Sequence, residues 1–326
     1  MSEQIESTRR KLLPGFVRGV VTRKSALGAG AVLLALLLLY YPAGMLLTHV
    51  VDDDIEFQAG PEDRVDGGSY AVAIAAALID REVNRHRWVA NDPWFLPPAA
   101  LDNMPNFQQG IVGALARFAF ELVDQIGRSR GSSQTDRDLQ EASGQLQYSG
   151  NVWVFDLSTS LAPTTPSESR YRKARQSLNA YNKRVAQGSA VFERRADNLL
   201  ATLDRITLDL GASSAAIDQH IATHSGGPFD FRADDIFYGV KGQTYAYYLL
   251  LRELAKDYEA LIGERALTTV WAQMLESLRH AATLSPLVIS NASPDSALLP
   301  NHLAAQGFYL LRARAQLREV TNILLK

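Results

Sequence analysis

The sequence contains no cysteine among its 326 residues. This absence excludes disulfide bonds, thiolate zinc sites, iron–sulfur clusters and cysteine nucleophiles. A chain of this length can bury a sizeable core without covalent cross-links. Its stability must therefore come from side-chain packing and hydrogen bonding.

The sequence also lacks the short motifs of the common enzyme families. It has no HExxH, GxSxG or SxxK motif, no phosphate-binding Walker loop and no GxGxxG fingerprint. His220 and His224 have the i, i+4 spacing of two histidines that share a metal ion. The same spacing is found in the last turn of a helix, where histidine interacts favourably with the helix dipole, and we favour this structural interpretation. Because catalytic groups need not be close in sequence, an enzyme is disfavoured rather than excluded. We predict no catalytic residue, no cofactor and no metal.

Acidic residues outnumber basic residues beyond the first segment of the chain. Six basic and two acidic residues precede position 25, which leaves 27 basic and 33 acidic side chains, a net charge of −6, in the remainder. Nucleic-acid binding relies on basic surface to neutralise phosphates. The mildly acidic body therefore argues against a nucleic-acid partner.

The longest apolar run covers residues 26–47 and carries no charge. A helix of this length crosses a hydrocarbon core of ~30 Å at ~1.5 Å per residue. Basic residues precede the run and the acidic stretch DDDIE follows it, so the positive-inside rule places the N-terminus in the cytoplasm. A cleaved signal peptide and a buried core helix are the alternatives, but a signal peptide is typically shorter.

These features predict four segments. Residues 1–25 form a short basic cytoplasmic tail and residues 26–47 a transmembrane helix. Residues 48–68 form an acidic linker that lifts the body off the membrane, and residues 69–326 form a helical periplasmic domain. The predicted location is thus the bacterial inner membrane, with the bulk of the chain in the periplasm.

Helical periodicity dominates the predicted periplasmic domain. The last helix carries four leucines at a strict seven-residue spacing, which is typical of packing inside a bundle or at a dimer: Leu303, Leu310, Leu317 and Leu324. We favour the bundle, because the other seam positions include Gly307 and Arg314. The run NVWVFDL at 151–157 is the only strand-like segment. The predicted fold is all-α, with a single N-terminal transmembrane helix followed by an antiparallel bundle of about six or seven helices.

Several polar groups stand where helices are predicted to begin. LDNMPNFQQG carries Asp102, Asn103 and Asn106, more polar side chains than one helix cap needs. Asp234 and Asp235 open another predicted helix beside Tyr238, and paired carboxylates near aromatic rings are also typical of sugar-cleaving sites. His302 follows a capping asparagine. We also expect a helix break at Gly211.

Four segments carry a resemblance to a known family. LDNMPN at 101–106, RADNL at 195–199, DDIFYGVKG at 234–242 and NH at 301–302 resemble, in order and spacing, a bacterial family known as domain of unknown function 2333. The resemblance implies an inner-membrane protein of Gram-negative bacteria with a helical periplasmic body. It implies no activity, cofactor or catalytic residue. Together the segments give these candidates for ligand or partner binding: Asp102, Asn103, Asn106, Arg195, Asp197, Asn198, Asp234, Asp235, Tyr238 and His302.

Three functions remain open. The first is a membrane-anchored envelope scaffold or interaction protein, which acts through an envelope protein partner or as a homo-oligomer. The second is an enzyme that acts on envelope glycan or lipid through Asp102, Asp234 or Asp235. The third is a ligand-binding sensor bundle, which would signal through a partner because only about 24 residues precede the span. Convergence of the four family segments in space would indicate a pocket, and their dispersal a scaffold.

Overall fold

A computed structural model of the protein describes residues 23–130, 135–156, 160–224, 230–293, 296–297 and 299–326. Within these ranges lie ten α-helices and no β-strand, so the all-α prediction is confirmed. The helices are α1 (Arg23–Thr48), α2 (Tyr70–Asp80), α3 (Asn103–Arg130), α4 (Arg137–Leu146), α5 (Ser167–Ala186), α6 (Ala196–His224), α7 (Phe231–Asp257), α8 (Glu259–Glu264), α9 (Thr268–Thr283) and α10 (His302–Leu324). The antiparallel order of the helices stays a prediction.

Helix α1 differs from the other helices because the rest of the chain does not bury it. Its apolar window from Leu27 to Thr48 has a mean hydropathy of 2.0 and is 0% buried. Among the described residues, its C-terminal part packs on the body at a 3₁₀ turn formed by Pro97–Ala100. An exposed apolar helix of 22 residues is long enough to cross a membrane.

Helix α7 lies at the centre of the body. It packs more extensively against α3 than against any other helix, and it also contacts α2 and α9. Helix α5 packs against both α4 and α2, and α10 packs against both α6 and α9. The four seam leucines of α10 are all buried, which confirms that their spacing reflects packing inside a bundle: Leu303, Leu310, Leu317 and Leu324.

The crossing of α3 and α7 brings the two backbones into contact. A Cβ atom at Gly110 would overlap the carbonyl oxygen of Gly239, and a Cβ atom at Gly242 would overlap the carbonyl oxygen of Phe107. Backbone atoms cannot rotate away as a side chain can. Only glycine therefore fits at these two positions while the helices keep this distance.

The segment after α1 runs along α7 and is bonded to it. Lys241 Nζ lies 2.6 Å from Asp53 Oδ2, and the hydroxyl of Tyr245 donates to the carbonyl oxygen of Asp54 at 2.7 Å. Arg252 donates to the carbonyl oxygens of residues 55 and 57. We call residues 52–57 the strap. It connects the end of the apolar helix to the middle of the body through fixed polar contacts.

Three local predictions are wrong. Residues 151–156 form no strand, because their backbone bonds to the loop at 164–167 rather than to a neighbouring strand; residue 157 lies outside the described residues. Gly211 does not break α6, since the helix continues there against the side chain of Arg314. Helix α7 begins at Phe231, ahead of Asp234, because Asp230 caps it by accepting a hydrogen bond from the amide of Ala233.

Candidate functional site

The start of α3 contacts the first turns of α7 through polar side chains. The Asn106 amide donates to Asp235 Oδ1 at 2.7 Å. The amide of Asn103 faces two carboxylates, so its nitrogen is the donor, at 3.1 Å to Asp102 Oδ1 and 2.5 Å to Asp234 Oδ2. The family segments 101–106 and 234–242 are therefore in direct contact.

The carboxylates of Asp102, Asp234 and Asp235 form one group, which we call the acidic cluster. Burial, together with the negative charges of Asp102 and Asp235, raises the pKa of Asp234 to about 6. Burial and Asp102 also raise the pKa of Asp235, although its bond from Asn106 opposes them. Burial and the charges of Asp234 and Asp102 raise the pKa of Tyr238 on the next helical turn. Asp234 thus holds its proton to a higher pH than an ordinary carboxyl.

The family segment at 301–302, at the start of α10, lies at the same end of the bundle. Asn301 caps α10 by accepting from the amide of Ala304 at 2.7 Å. Its own amide donates to Asn291, whose side chain in turn donates to Asp230, the cap of α7. One turn into α10, Gln306 donates to the carbonyl oxygen of residue 237 at 3.0 Å.

His302 has a structural contact in this arrangement. Its Nδ1 accepts a hydrogen bond from the backbone amide of Ser290 at 2.9 Å. This bond requires the neutral ring with the proton on Nε2. Burial lowers the pKa of His302, which favours this neutral form. The side chain therefore anchors the loop that precedes α10.

The family segment at 195–199 lies elsewhere. Arg195 and Asp197 pair with each other at 2.9 Å, with side chains 66% and 60% exposed. Asn198 bonds to the carbonyl oxygen of Glu193 and stands at the N-terminal end of α6. Along α6, Asn198 is 22 residues, or about 33 Å, from His220, which bonds to Asp230 at 2.7 Å. The structure thus brings three of the four segments together and leaves Arg195, Asp197 and Asn198 apart.

An open groove of about 500 Å³ begins at Asp235. It lies between α3, α6 and α7, and we call it the α3–α6–α7 groove. Its lining combines small residues with polar side chains from all three helices: Gln109, Gly110, Gly113, Arg117, Asp209, Ala212, Ser213, Ala216, Asp235, Ile236, Gly239, Val240 and Gln243. A second hollow of about 350 Å³ shares Asp235 with the groove and adds His220, His224 and Arg232.

The groove has fixed polar walls. The hydroxyl of Tyr247 donates to Asp209 Oδ2 at 2.6 Å, and Arg117 Nε lies 3.9 Å from the other oxygen of that carboxylate. Ser213 donates to Gln243 at 2.5 Å, which links α6 to α7 across the groove. The walls therefore present a cation, two carboxylates and side-chain amides within one open channel. Among the described residues, no group of three or more acidic or histidine side chains is arranged to hold a metal ion.

Comparison with known proteins identifies the family. A family model described as "Uncharacterized protein conserved in bacteria (DUF2333)" matches residues 20–226 and 228–326, which is nearly the whole chain. The chain belongs to the DUF2333 family. No curated protein and no solved structure matches it significantly.

Much of the groove of this DUF2333 protein was not predicted from the sequence. The missed residues include Gly110, Gly113, Arg117, Ser213 and Gln243. One signal was available, because Gly110 and Gly113, like Gly239 and Gly242, are three residues apart and so share a helical face. Two glycine faces on two long helices indicate a close crossing beside a shallow channel. The polar residues of α6 carried no comparable signal.

Proposed function

We propose that this DUF2333 protein is a single-span protein of the bacterial inner membrane whose helical body lies in the periplasm and binds an envelope protein partner through the α3–α6–α7 groove. The supporting observation is the groove itself, which meets the acidic cluster at Asp235. The family segment at 101–106 therefore borders the proposed binding surface.

The groove suits a polypeptide partner. Charges of both signs and side-chain amides match the mixed donors and acceptors of a peptide. The exposed Gly113, which has open space beside it, lets a partner approach the backbone of α3. The open form of the groove distinguishes it from the enclosed, apolar pockets that bind most small molecules.

The proposal is tested by photo-crosslinking in living cells. A photoreactive amino acid at Ala212 or Gln243 lies in the groove, whereas one at the exposed Ala260 on α8 is the matched control. We expect a discrete adduct from the groove positions that is absent from position 260. An adduct of twice the mass of the chain would identify a second copy as the partner. Equal labelling from all three positions, or none from the groove, would contradict the proposal.

The pKa of Asp234 supports a second candidate, an enzyme that cleaves envelope glycan. A carboxyl that stays protonated to about pH 6 beside the exposed carboxylate of Asp102 has the charge states of a general acid and its partner. Incubation of the purified protein with isolated envelope glycan, followed by mass spectrometry of the soluble fraction, tests this role. The enzyme candidate requires products that Asp234→Asn abolishes, and products unaffected by that substitution would exclude Asp234 as the acid.

A further inference from the structure

A proline-rich loop of the body is fixed against α1 at a defined height. The hydroxyl of Tyr41 donates to the carbonyl oxygen of Trp94 at 2.7 Å, and that of Tyr40 donates to the carbonyl oxygen of Phe95 at 3.3 Å. Pro97 packs so closely on Gly44 that a Cβ atom there would overlap its ring. The loop therefore lies beside the apolar helix itself rather than beyond its end.

The height of this contact follows from the length of the helix. The apolar window ends at Thr48, and Tyr41 precedes that end by seven residues, or about 10 Å of helix. Measured from Leu27, Tyr41 lies only about 21 Å along the axis, less than the ~30 Å of a hydrocarbon core. A bilayer that holds α1 must therefore reach the level of the loop.

The loop presents aromatic rings at that level. Trp94 is 81% exposed and Phe95 is 44% exposed. The ring of Phe95 lies 5.7 Å from that of Trp153, which lies 5.5 Å from that of the half-exposed Phe155. We call these four residues the aromatic surface. Exposed aromatic patches are uncommon on water-facing surfaces, whereas tryptophan is enriched where hydrocarbon meets headgroups.

The backbone of the loop also suits a water-poor setting. Residues 93–101 contain no charged side chain and include three prolines, which have no N–H group to satisfy. The amides of Leu96, Ala99 and Leu101 donate to carbonyl oxygens within the loop. Each of these internal bonds lowers the cost of moving the segment out of water.

We propose that the aromatic surface lies in the outer interfacial layer of the bilayer that α1 spans, so that the body rests directly on phospholipid. This inference depends on the membrane anchoring put forward under Proposed function. The contact fixes the height of α3, which begins at Asn103 only two residues after the loop. The acidic cluster and the near end of the groove then lie close to the membrane surface, within reach of a partner in the same membrane.

Site-directed spin labelling tests the proposal, since a chain without cysteine accepts single labels cleanly. The full-length protein is labelled at Trp94→Cys or Phe155→Cys and reconstituted in vesicles of phosphatidylethanolamine and phosphatidylglycerol. Leu36→Cys reports the hydrocarbon core, and Ala260→Cys, beyond the far end of α7, reports bulk water. Collision rates with oxygen and with a water-soluble nickel chelate give the depth of each label.

We expect the labels at 94 and 155 to show nickel collision rates severalfold lower than the label at 260, and intermediate between those at 260 and 36. Nickel rates at 94 and 155 equal to the rate at 260, with position 36 protected, would overturn this inference alone. A water-exposed label at 36 would overturn the anchoring itself. Circular dichroism verifies that each variant is folded, and quenching of native tryptophan fluorescence by brominated lipid gives a second reading without substitution at Trp94.

Discussion

The substitution Gly242→Ala tests the close crossing of α3 and α7. Its Cβ atom would overlap the carbonyl oxygen of Phe107, and the obstacle is backbone, so the helices must separate. Overpacking a core costs about 1–3 kcal/mol, and more where the backbone has to move. The intrinsic preference of helices for alanine over glycine offsets roughly 1 kcal/mol of that cost. We therefore expect a net loss of about 2 kcal/mol.

Gly113→Ala is the matched control. Gly113 lies on α3, only three residues beyond Gly110, and no heavy atom would lie within 4 Å of its added Cβ. Only the helix preference then acts, and we expect the variant to be up to about 1 kcal/mol more stable than the wild type. Thermal unfolding of both variants in detergent micelles, followed by circular dichroism, measures the difference. Equal midpoints for the two variants would refute the crossing.

Three further predictions concern polar contacts. Because Asp234 ionises near pH 6 in the folded protein and near 3.8 otherwise, the folded state binds more protons between these values, and stability falls as pH rises from about 4 to 6. Asp234→Asn should therefore stabilise the protein at pH 7.5 by about 1 kcal/mol, after discounting for partial exposure, and have little effect at pH 4 in the same unfolding assay. Asn301→Ala removes the cap of α10 and should cost about 1 kcal/mol, measured by thermal unfolding, whereas an unchanged midpoint would contradict its capping role. Asp53→Ala leaves the buried ammonium of Lys241 without its carboxylate and should cost about 2–4 kcal/mol and expose the strap to limited proteolysis; a wild-type digestion pattern would show that the strap is held by other contacts.

Periodic patterns were the most informative part of the sequence. The leucine spacing of α10 and its capping residue Asn301 predicted this helix well, because these signals are local and physically simple. The strand predicted at 151–157 was wrong, because β-branched and aromatic residues favour a strand only where a partner strand is present. Residues 152–154 instead bond to the loop at 164–167.

The candidate site was predicted only in part. Asp102, Asn106, Asp234 and Asp235 could be selected as surplus polar groups at helix starts, but their contact depends on the crossing of α3 and α7. The groove could not be predicted, because its walls come from three helices that are distant in sequence. The burial of Lys241 beneath the strap could not be predicted either, since a lysine within a helix is usually solvated.

The orientation of the body outside the cytoplasmic membrane is the central claim, and labelling with a membrane-impermeant maleimide tests it most directly. Ala260→Cys would be the only thiol in the chain and lies on an exposed surface. In spheroplasts with an intact inner membrane, the proposed topology predicts that the reagent labels position 260 as fully as it does after lysis. Labelling that occurs only after lysis would place the body in the cytoplasm and contradict the claim.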